Sequence, residues 1–172
     1  MSKVTKSKVS NEKKNLNRLA GEFLVASRLA QGGYMVALQW GTTIGYDILV
    51  FDKAHHVAYV EVKATASYPR KWLVQKKHAT PPKDDRHFMC CVDLTPKSGV
   101  PDIYFFPARI VADGLHYFYS NGFSASSSYV LPLDCRPRGH THGENYLTVG
   151  QHIQCEKYLG RFDALGVLPV VR

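Results

Sequence analysis

The chain has 172 residues, 45% of them hydrophobic, which is enough for one domain with a buried core and makes a second domain unexpected. Its formal net charge is +8, which suits a negatively charged partner such as a nucleic acid. No segment approaches the roughly 20 apolar residues of a membrane span and no apolar run follows the basic start, so we expect neither a transmembrane protein nor a secretory signal.

The first 14 residues are predicted to form a flexible basic arm in front of a single domain. Residues 1–18 hold six Lys or Arg against one Glu, a net charge of +5 that supplies most of the excess. Such an arm suits a phosphate backbone, because each neutralised phosphate releases counterions, although solvated lysine tails are common without this role. The domain is predicted over 15–172, with its core at about 15–110 and a C-terminal extension over 111–172.

An amphipathic helix is predicted over residues 15–31, ending at Gly32. Its predicted buried stripe follows the 3.6-residue helical period. The stripe consists of Leu16, Leu19, Phe23, Ala26 and Ala30. Glu22 lies at the edge of this stripe, where its carboxylate faces either a functional site or solvent.

Two strands with a short polar turn follow a first strand predicted over 34–39. They read Gly-Tyr-Asp-Ile-Leu-Val-Phe and Val-Ala-Tyr-Val-Glu-Val-Lys-Ala-Thr, rich in β-branched and aromatic residues. Three charged residues, Asp47, Glu61 and Lys63, interrupt them. Because side chains alternate along a strand, Glu61 and Lys63 share a face about 7 Å apart, and Asp47 is expected at the same end of that face.

This charged trio has two interpretations. Burying three ionisable groups is costly unless they are paired or bind a metal, and two carboxylates suit a divalent cation while a lysine can orient a water molecule. Alternatively, Glu61 and Lys63 form an exposed ion pair and Asp47 only caps a turn.

The motifs resemble the PD-(D/E)XK nuclease superfamily, most closely archaeal Holliday-junction resolvases and small stand-alone nucleases. The resemblance covers about residues 15–65. It includes Leu-Ala-Gly-Glu-Phe-Leu-Val-Ala in the helix, Gly-Tyr-Asp-Ile-Leu-Val, and Tyr-Val-Glu-Val-Lys-Ala-Thr. Gly45-Tyr46 stands where the family pattern has a proline before the aspartate. The resemblance implies an α/β fold with a restriction-endonuclease-like core, in which a mixed β-sheet is flanked by helices in the order αβββαβ.

The resemblance also implies residue roles. Asp47, Glu61 and the backbone carbonyl of Val62 would ligate Mg²⁺ or Mn²⁺, Lys63 would position the attacking water or stabilise charge at the phosphate, and Glu22 would be an auxiliary catalytic ligand. Two hydroxyl residues after the lysine and a basic stretch beyond them are candidate nucleic-acid contacts, with turn-capping and solvated side chains as the alternative. These candidates are Thr65, Ser67, Arg70, Lys71, Gln75, Lys76 and Lys77.

The remaining elements complete the predicted sheet. A short helix is predicted over 71–79, with Trp72, Leu73 and Val74 inward, and strands over 87–94 and 102–107 give five strands in all. Residues 115–130 are predicted to form a hairpin around Asn121-Gly122, and residues 146–165 a helix.

We therefore expect a metal-dependent endonuclease acting on DNA, with RNA not excluded and branched or junction DNA as one possible substrate. Two sites would suit a two-stranded substrate, so a homodimer is expected. The chain lacks a Walker loop and a dinucleotide fingerprint, and no nucleotide cofactor is expected. Its four cysteines have no disulfide-like spacing, which favours a cytoplasmic location. The alternative function is a non-catalytic protein that binds nucleic acid or a partner on the same fold.

Overall fold

The computed structural model describes residues 10–40, 45–52, 54–66, 72–96, 98–120, 130–133 and 149–165. None of the described helices is long and apolar enough to cross a bilayer. Most of the predicted arm, residues 1–9, lies outside this part of the chain, and the division into an arm and one domain stays a prediction.

The first element, helix α1 (Asn11–Gln31), begins four residues before its predicted start. The Ser10 side chain caps it by accepting a hydrogen bond from the backbone N–H of Lys13. Leu16 and Phe23, which were predicted to be buried, are 60% and 49% exposed. The predicted stripe is confirmed at Ala26 and wrong at Leu16 and Phe23, because the buried face is rotated by about one residue, or roughly 100°. The buried residues are Gly21, Glu22, Val25, Ala26 and Leu29.

A mixed five-stranded sheet confirms the predicted α/β class. The strands of the described chain are β1 Met35–Leu38, β2 Ile48–Phe51, β3 Val57–Thr65, β4 Trp72–Gln75, β5 His87–Asp93, β6 Asp102–Pro107 and β7 Val130–Leu133. The five-stranded sheet has the order β1-β2-β3-β5-β6. Only the β3–β5 pair is parallel, and the other three pairs are antiparallel.

The connection between β3 and β5 differs from the predicted helix over 71–79. It contains strand β4, which pairs with β7 in a separate two-stranded sheet, and a 3-10 helix over Lys76–Ala79. Trp72 and Val74 are buried while Leu73 is 65% exposed, a period of two that fits a strand and not a helix. The Trp72 indole also donates a hydrogen bond to the Val92 carbonyl, at 2.9 Å. The predicted inward position is thus confirmed for Trp72 and Val74 and wrong for Leu73.

Helix α2 (Ala108–Ser120) replaces the first part of the hairpin predicted over 115–130. Val111, Ala112 and Leu115 are buried at helical spacing, and this pattern prevails over the β propensity of the aromatic run that follows. The predicted turn Asn121-Gly122 lies outside the described residues.

The helix predicted over 146–165 is broken into short pieces. They are α3 (Val149–His152) and two 3-10 helices, Cys155–Tyr158 and Phe162–Leu165. Gln154 and Gly160 adopt positive φ angles of 54° and 67°, and this backbone conformation cannot continue a right-handed helix.

Each face of the five-stranded sheet packs against its own apolar cluster. One cluster joins α1 to side chains that include Val60, Val62 and Cys90. The other joins α2 and β4 to side chains that include Met89 and Cys91. Cys90 and Cys91 are both buried free thiols that point to opposite faces, as alternation along β5 requires. Strand β3 lies in the middle of the sheet, so its polar residues are held by packed neighbours on both sides.

Candidate active site

Asp47 lies just before the first residue of β2, Ile48, beside the part of β3 that runs on past its pairing with β2. Its backbone N–H donates to the Val60 carbonyl at 2.8 Å, and its Oδ2 accepts from the backbone N–H of Val62 at 2.6 Å. The second bond fixes the carboxylate beside β3, at the position where the next ladder residue of β2 would pair. Two backbone groups of β3, the Val60 carbonyl and the Val62 N–H, therefore hold Asp47 in place.

Glu61 and Lys63 lie on the same face of β3, as strand alternation predicts. The Lys63 Nζ donates to Glu61 Oε1 at 2.5 Å, and the two side chains are 29% and 17% exposed. The exposed surface ion pair considered as an alternative therefore does not describe this pair. Electrostatic interactions of Asp47 with both residues place all three predicted groups in one cluster.

His78 joins this cluster, and the sequence reasoning missed it. Its Nε2 lies 2.8 Å from Glu61 Oε2 and its Nδ1 lies 3.0 Å from the Gln75 carbonyl oxygen. Both partners are oxygen acceptors, so each ring nitrogen that carries a proton can donate to one of them. Its position in the sequence offered no signal, because only the 3-10 helix after β4 brings it 17 residues back to Glu61.

The surroundings of Glu61 keep it ionised. Burial disfavours the charged form, but the hydrogen bonds and positive charges of His78 and Lys63 outweigh burial and lower the pKa of Glu61 to about 2. Each carboxylate oxygen of Glu61 thus has a hydrogen-bond partner, Lys63 at Oε1 and His78 at Oε2, and the two contacts fix the orientation of the carboxylate.

Glu22 is 4% exposed, near the middle of the buried face of α1 and not at its edge as predicted. Its Oε1 accepts from Arg18 at 2.6 Å. Burial, followed by the negative charge of Asp47, raises the pKa of Glu22 in spite of Arg18. The interaction with Asp47 shows that α1 delivers its carboxylate to the same cluster.

A glycine allows α1 to approach β3 closely enough for this. A Cβ built on Gly21 would lie 2.5 Å from the Cβ of Ala64. Any larger residue would push the helix away from the strand, and with it the neighbouring Glu22. Gly21 and Ala64 therefore set the depth at which Glu22 enters the cluster.

Asp47 carries the opposite pKa shift from Glu61. Burial raises its pKa, and this outweighs the hydrogen bond from the Val62 N–H and the positive charge of Lys63. The ionised Asp47 consequently lacks full compensation from the protein, as expected of a carboxylate awaiting a cation.

The carboxylates of Asp47 and Glu61 and the backbone carbonyl of Val62 are oxygen donors of the kind that a divalent metal site uses. In an extended strand the N–H and C=O of a residue point to the same side, so the Val62 carbonyl faces the Asp47 side with the N–H that Asp47 accepts. Hard oxygen donors of this type suit Mg²⁺ and Mn²⁺. Within the described residues, no three His, Cys, Asp or Glu side chains are arranged as a complete metal-binding group. Water and substrate oxygens would therefore have to complete the coordination.

The predicted nucleic-acid contacts fall in different places. Thr65 is buried at the end of β3, whereas Gln75, Lys76 and Lys77 are exposed around the 3-10 helix. The other three, Ser67, Arg70 and Lys71, lie outside the described residues.

A cavity of about 220 Å³ opens beside Glu61. Lys77 and His78 line it, together with Tyr59 and His87, whose rings stack with centroids 4.8 Å apart. The cavity gives solvent and small substrate groups direct access to the Glu61 side of the cluster.

Similarity to known proteins is found at the level of structure. No protein-family model matches the chain, and no curated protein matches it. The chain is similar in structure to the bacterial homing endonuclease I-Ssp6803I, with a TM-score of 0.45 and 14% sequence identity, over 87% of this chain and 90% of that one. A likeness at this level assigns neither a family nor an activity.

Proposed function

We propose that the protein is a metal-dependent phosphodiesterase that cleaves DNA, built on the PD-(D/E)XK pattern. One observation carries the proposal: Asp47, anchored by the Val62 N–H, an ionised Glu61 and Lys63 meet where β2 begins beside β3. Because β3 runs on past the start of β2, the three side chains have access to a substrate phosphate there. The resemblance in sequence assigns the same three residues to catalysis.

The metal held by Asp47, Glu61 and the Val62 carbonyl would be Mg²⁺ or Mn²⁺. Such an ion lowers the pKa of a bound water and offsets the charge that builds on the phosphoryl oxygens during in-line attack. Glu22 lies beside Asp47 and would accept a hydrogen bond from a second water in the cluster.

Lys63 has two tasks in this mechanism. Its ammonium group donates to Glu61 at one side, and its remaining N–H donors orient the attacking water and stabilise the pentavalent phosphate. His78 holds the other oxygen of Glu61, so that the carboxylate cannot rotate when Lys63 turns toward the substrate. The proposed division is that His78 positions Glu61 while Lys63 touches the reacting atoms.

A cleavage assay tests the proposal. Linear duplex, single-stranded and four-way-junction DNA are incubated with the purified protein in Mg²⁺, Mn²⁺ or EDTA, beside Lys63→Ala. We expect metal-dependent cleavage that falls by at least about 100-fold in the variant, because Lys63 stabilises charge only in the transition state. Equal cleavage by the variant would overturn the role of Lys63, and cleavage in EDTA would overturn the metal.

A second candidate is a non-catalytic protein that binds nucleic acid on the same fold. The observation that favours it is that both oxygens of Glu61 already have side-chain partners, Lys63 and His78, so a metal must share them. In that case, the assay would show DNA binding without cleavage in every metal, and Lys63→Ala would alter stability or binding only.

We also propose a homodimer. Leu16, Phe23 and Trp40 are exposed large apolar side chains, and the rings of Phe23 and Trp40 lie with centroids 6.3 Å apart. Exposed apolar groups that adjoin one another support an interface, which the molar mass from light scattering would show directly.

A further inference from the structure

A second and larger recess lies on the Lys63 side of the cluster, between the first turns of α1 and the end of β3. We call it the basic groove. It has a volume of about 550 Å³. Its lining residues are Lys13, Lys14, Asn17, Arg18, Val62, Lys63, Ala64, Thr65, Ala66, Trp72 and Leu73.

The charge of the basic groove has a single sign. Four of its lining residues carry a positive charge and none is acidic. The lining side chains of α1 fall within an arc of about 140° around the helix axis, because each residue advances a helix by about 100°. They belong to Lys13, Lys14, Asn17 and Arg18. Lys13 and Lys14 are exposed, and neither makes an ion pair within the described part of the chain. Their charges are therefore available to a ligand.

The shape and position of the basic groove decide the kind of anion. The basic side chains of the groove extend over roughly 6 Å of the α1 axis from Lys14 to Arg18 and continue to Lys63 on β3. The groove therefore suits several phosphates in series better than one small anion. Leu73, which is 65% exposed, adds an apolar contact for the sugars between them. The half-buried side-chain amide of Asn17, which lines the groove, has both donors and acceptors for the same backbone.

We infer that the basic groove binds the sugar-phosphate backbone of the nucleic-acid strand whose scissile phosphate lies at Lys63. The position of the cut rests on the proposed function, and the groove adds the path of the nucleic-acid strand along the first turns of α1. The backbone binding itself does not depend on cleavage. Arg18 connects the two regions, because it lines the groove and also holds Glu22.

Binding in EDTA isolates the groove from catalysis. Fluorescence anisotropy of a labelled duplex and a labelled single strand is measured over a range of salt concentrations for the full chain and for Lys13→Ala/Lys14→Ala. Each lost phosphate contact lowers the slope of log K against log salt by about 0.7 to 0.9. We expect the magnitude of the slope to fall by roughly 1.4 to 1.8 and the affinity at low salt to fall by about 10-fold or more.

The matched control is Lys83→Ala/Lys157→Ala, which removes the same charge from two exposed lysines that line neither recess. Asn17→Asp, which adds a negative charge inside the groove, should weaken binding without removing any cation. An unchanged slope in the groove variant, or an equal loss in the control, would overturn the inference. Wild-type protein that binds through the groove but never cleaves would contradict the proposed function and leave the groove intact.

Discussion

Asp47 and Glu61 belong to the same cluster, but their surroundings shift their pKa values in opposite directions. Folding raises the pKa of Asp47, so its ionised form weakens the folded state at neutral pH, and this cost disappears as the pH falls below the folded pKa. Folding lowers the pKa of Glu61 from 4.5 to about 2. Its contribution to stability is therefore complete above about pH 4.5 and is lost as the pH falls toward 2.

The two amide variants should consequently differ in stability. Asp47→Asn removes an incompletely compensated charge, so we expect a higher Tm at pH 7, by about 2–4 °C for each 1 kcal/mol gained in a chain of this size. Glu61→Gln leaves Lys63 and His78 without their anion, and we expect a loss of about 1–3 kcal/mol. Both variants should lose cleavage. Thermal unfolding at pH 7 checks the signs, and equal shifts in the two variants would contradict the electrostatic account.

At the scale of elements, the site depends on how closely α1 lies against β3. The helix supplies Glu22, whose charge interacts with that of Asp47, and Asp47 is held by the Val62 N–H of β3, so the distance between the two elements decides whether Glu22 reaches the cluster. Gly21 faces Ala64 across this contact, and a Cβ on Gly21 would lie 2.5 Å from the Cβ of Ala64. A methyl group added there should act on stability and on the site together.

We therefore expect Gly21→Ala to destabilise the fold by about 1–3 kcal/mol, because overpacking forces the helix outward, and to lower cleavage by displacing Glu22. Ala64→Gly removes the opposing Cβ and should restore part of both losses in the double variant. Urea unfolding of the two single variants and the double variant measures this coupling. Gly45→Ala is the matched control, since its Cβ would meet nothing within 4 Å. Additive losses in the double variant would show that the contact is not the cause.

At the scale of the whole molecule, local patterns predicted some features well and others poorly. Alternation along β3 placed Glu61 and Lys63 together, and β-rich segments gave all five strands of the main sheet. The stripe on α1 was partly wrong because burial there follows the contact with Ala64, which sequence periodicity cannot reveal. His78 was missed because a connection whose strand pairs with distant β7 brings it to Glu61. Long-range contacts, and not local propensity, determined each of these errors.

The cluster lies where α1, β2 and β3 meet, so a metal bound there would tie three elements of the molecule together. Its charge would also offset the burial, and the smaller repulsion between carboxylates, that raise the pKa of Glu22 and Asp47. A ligand that binds only the folded state stabilises it by about 2.7 kcal/mol at 100 times its Kd, which corresponds to roughly 5–10 °C in Tm here.

We expect Mn²⁺ to raise Tm by that amount at pH 7, and the rise to shrink as the pH is lowered, because protons compete with the metal at Asp47, whose pKa is raised. Thermal unfolding across a Mn²⁺ titration measures the effect. Asp47→Asn should abolish the metal-dependent rise although the variant itself is more stable, and Lys157→Ala should keep it. An equal rise in Asp47→Asn and in the unaltered protein would mean that the metal binds elsewhere.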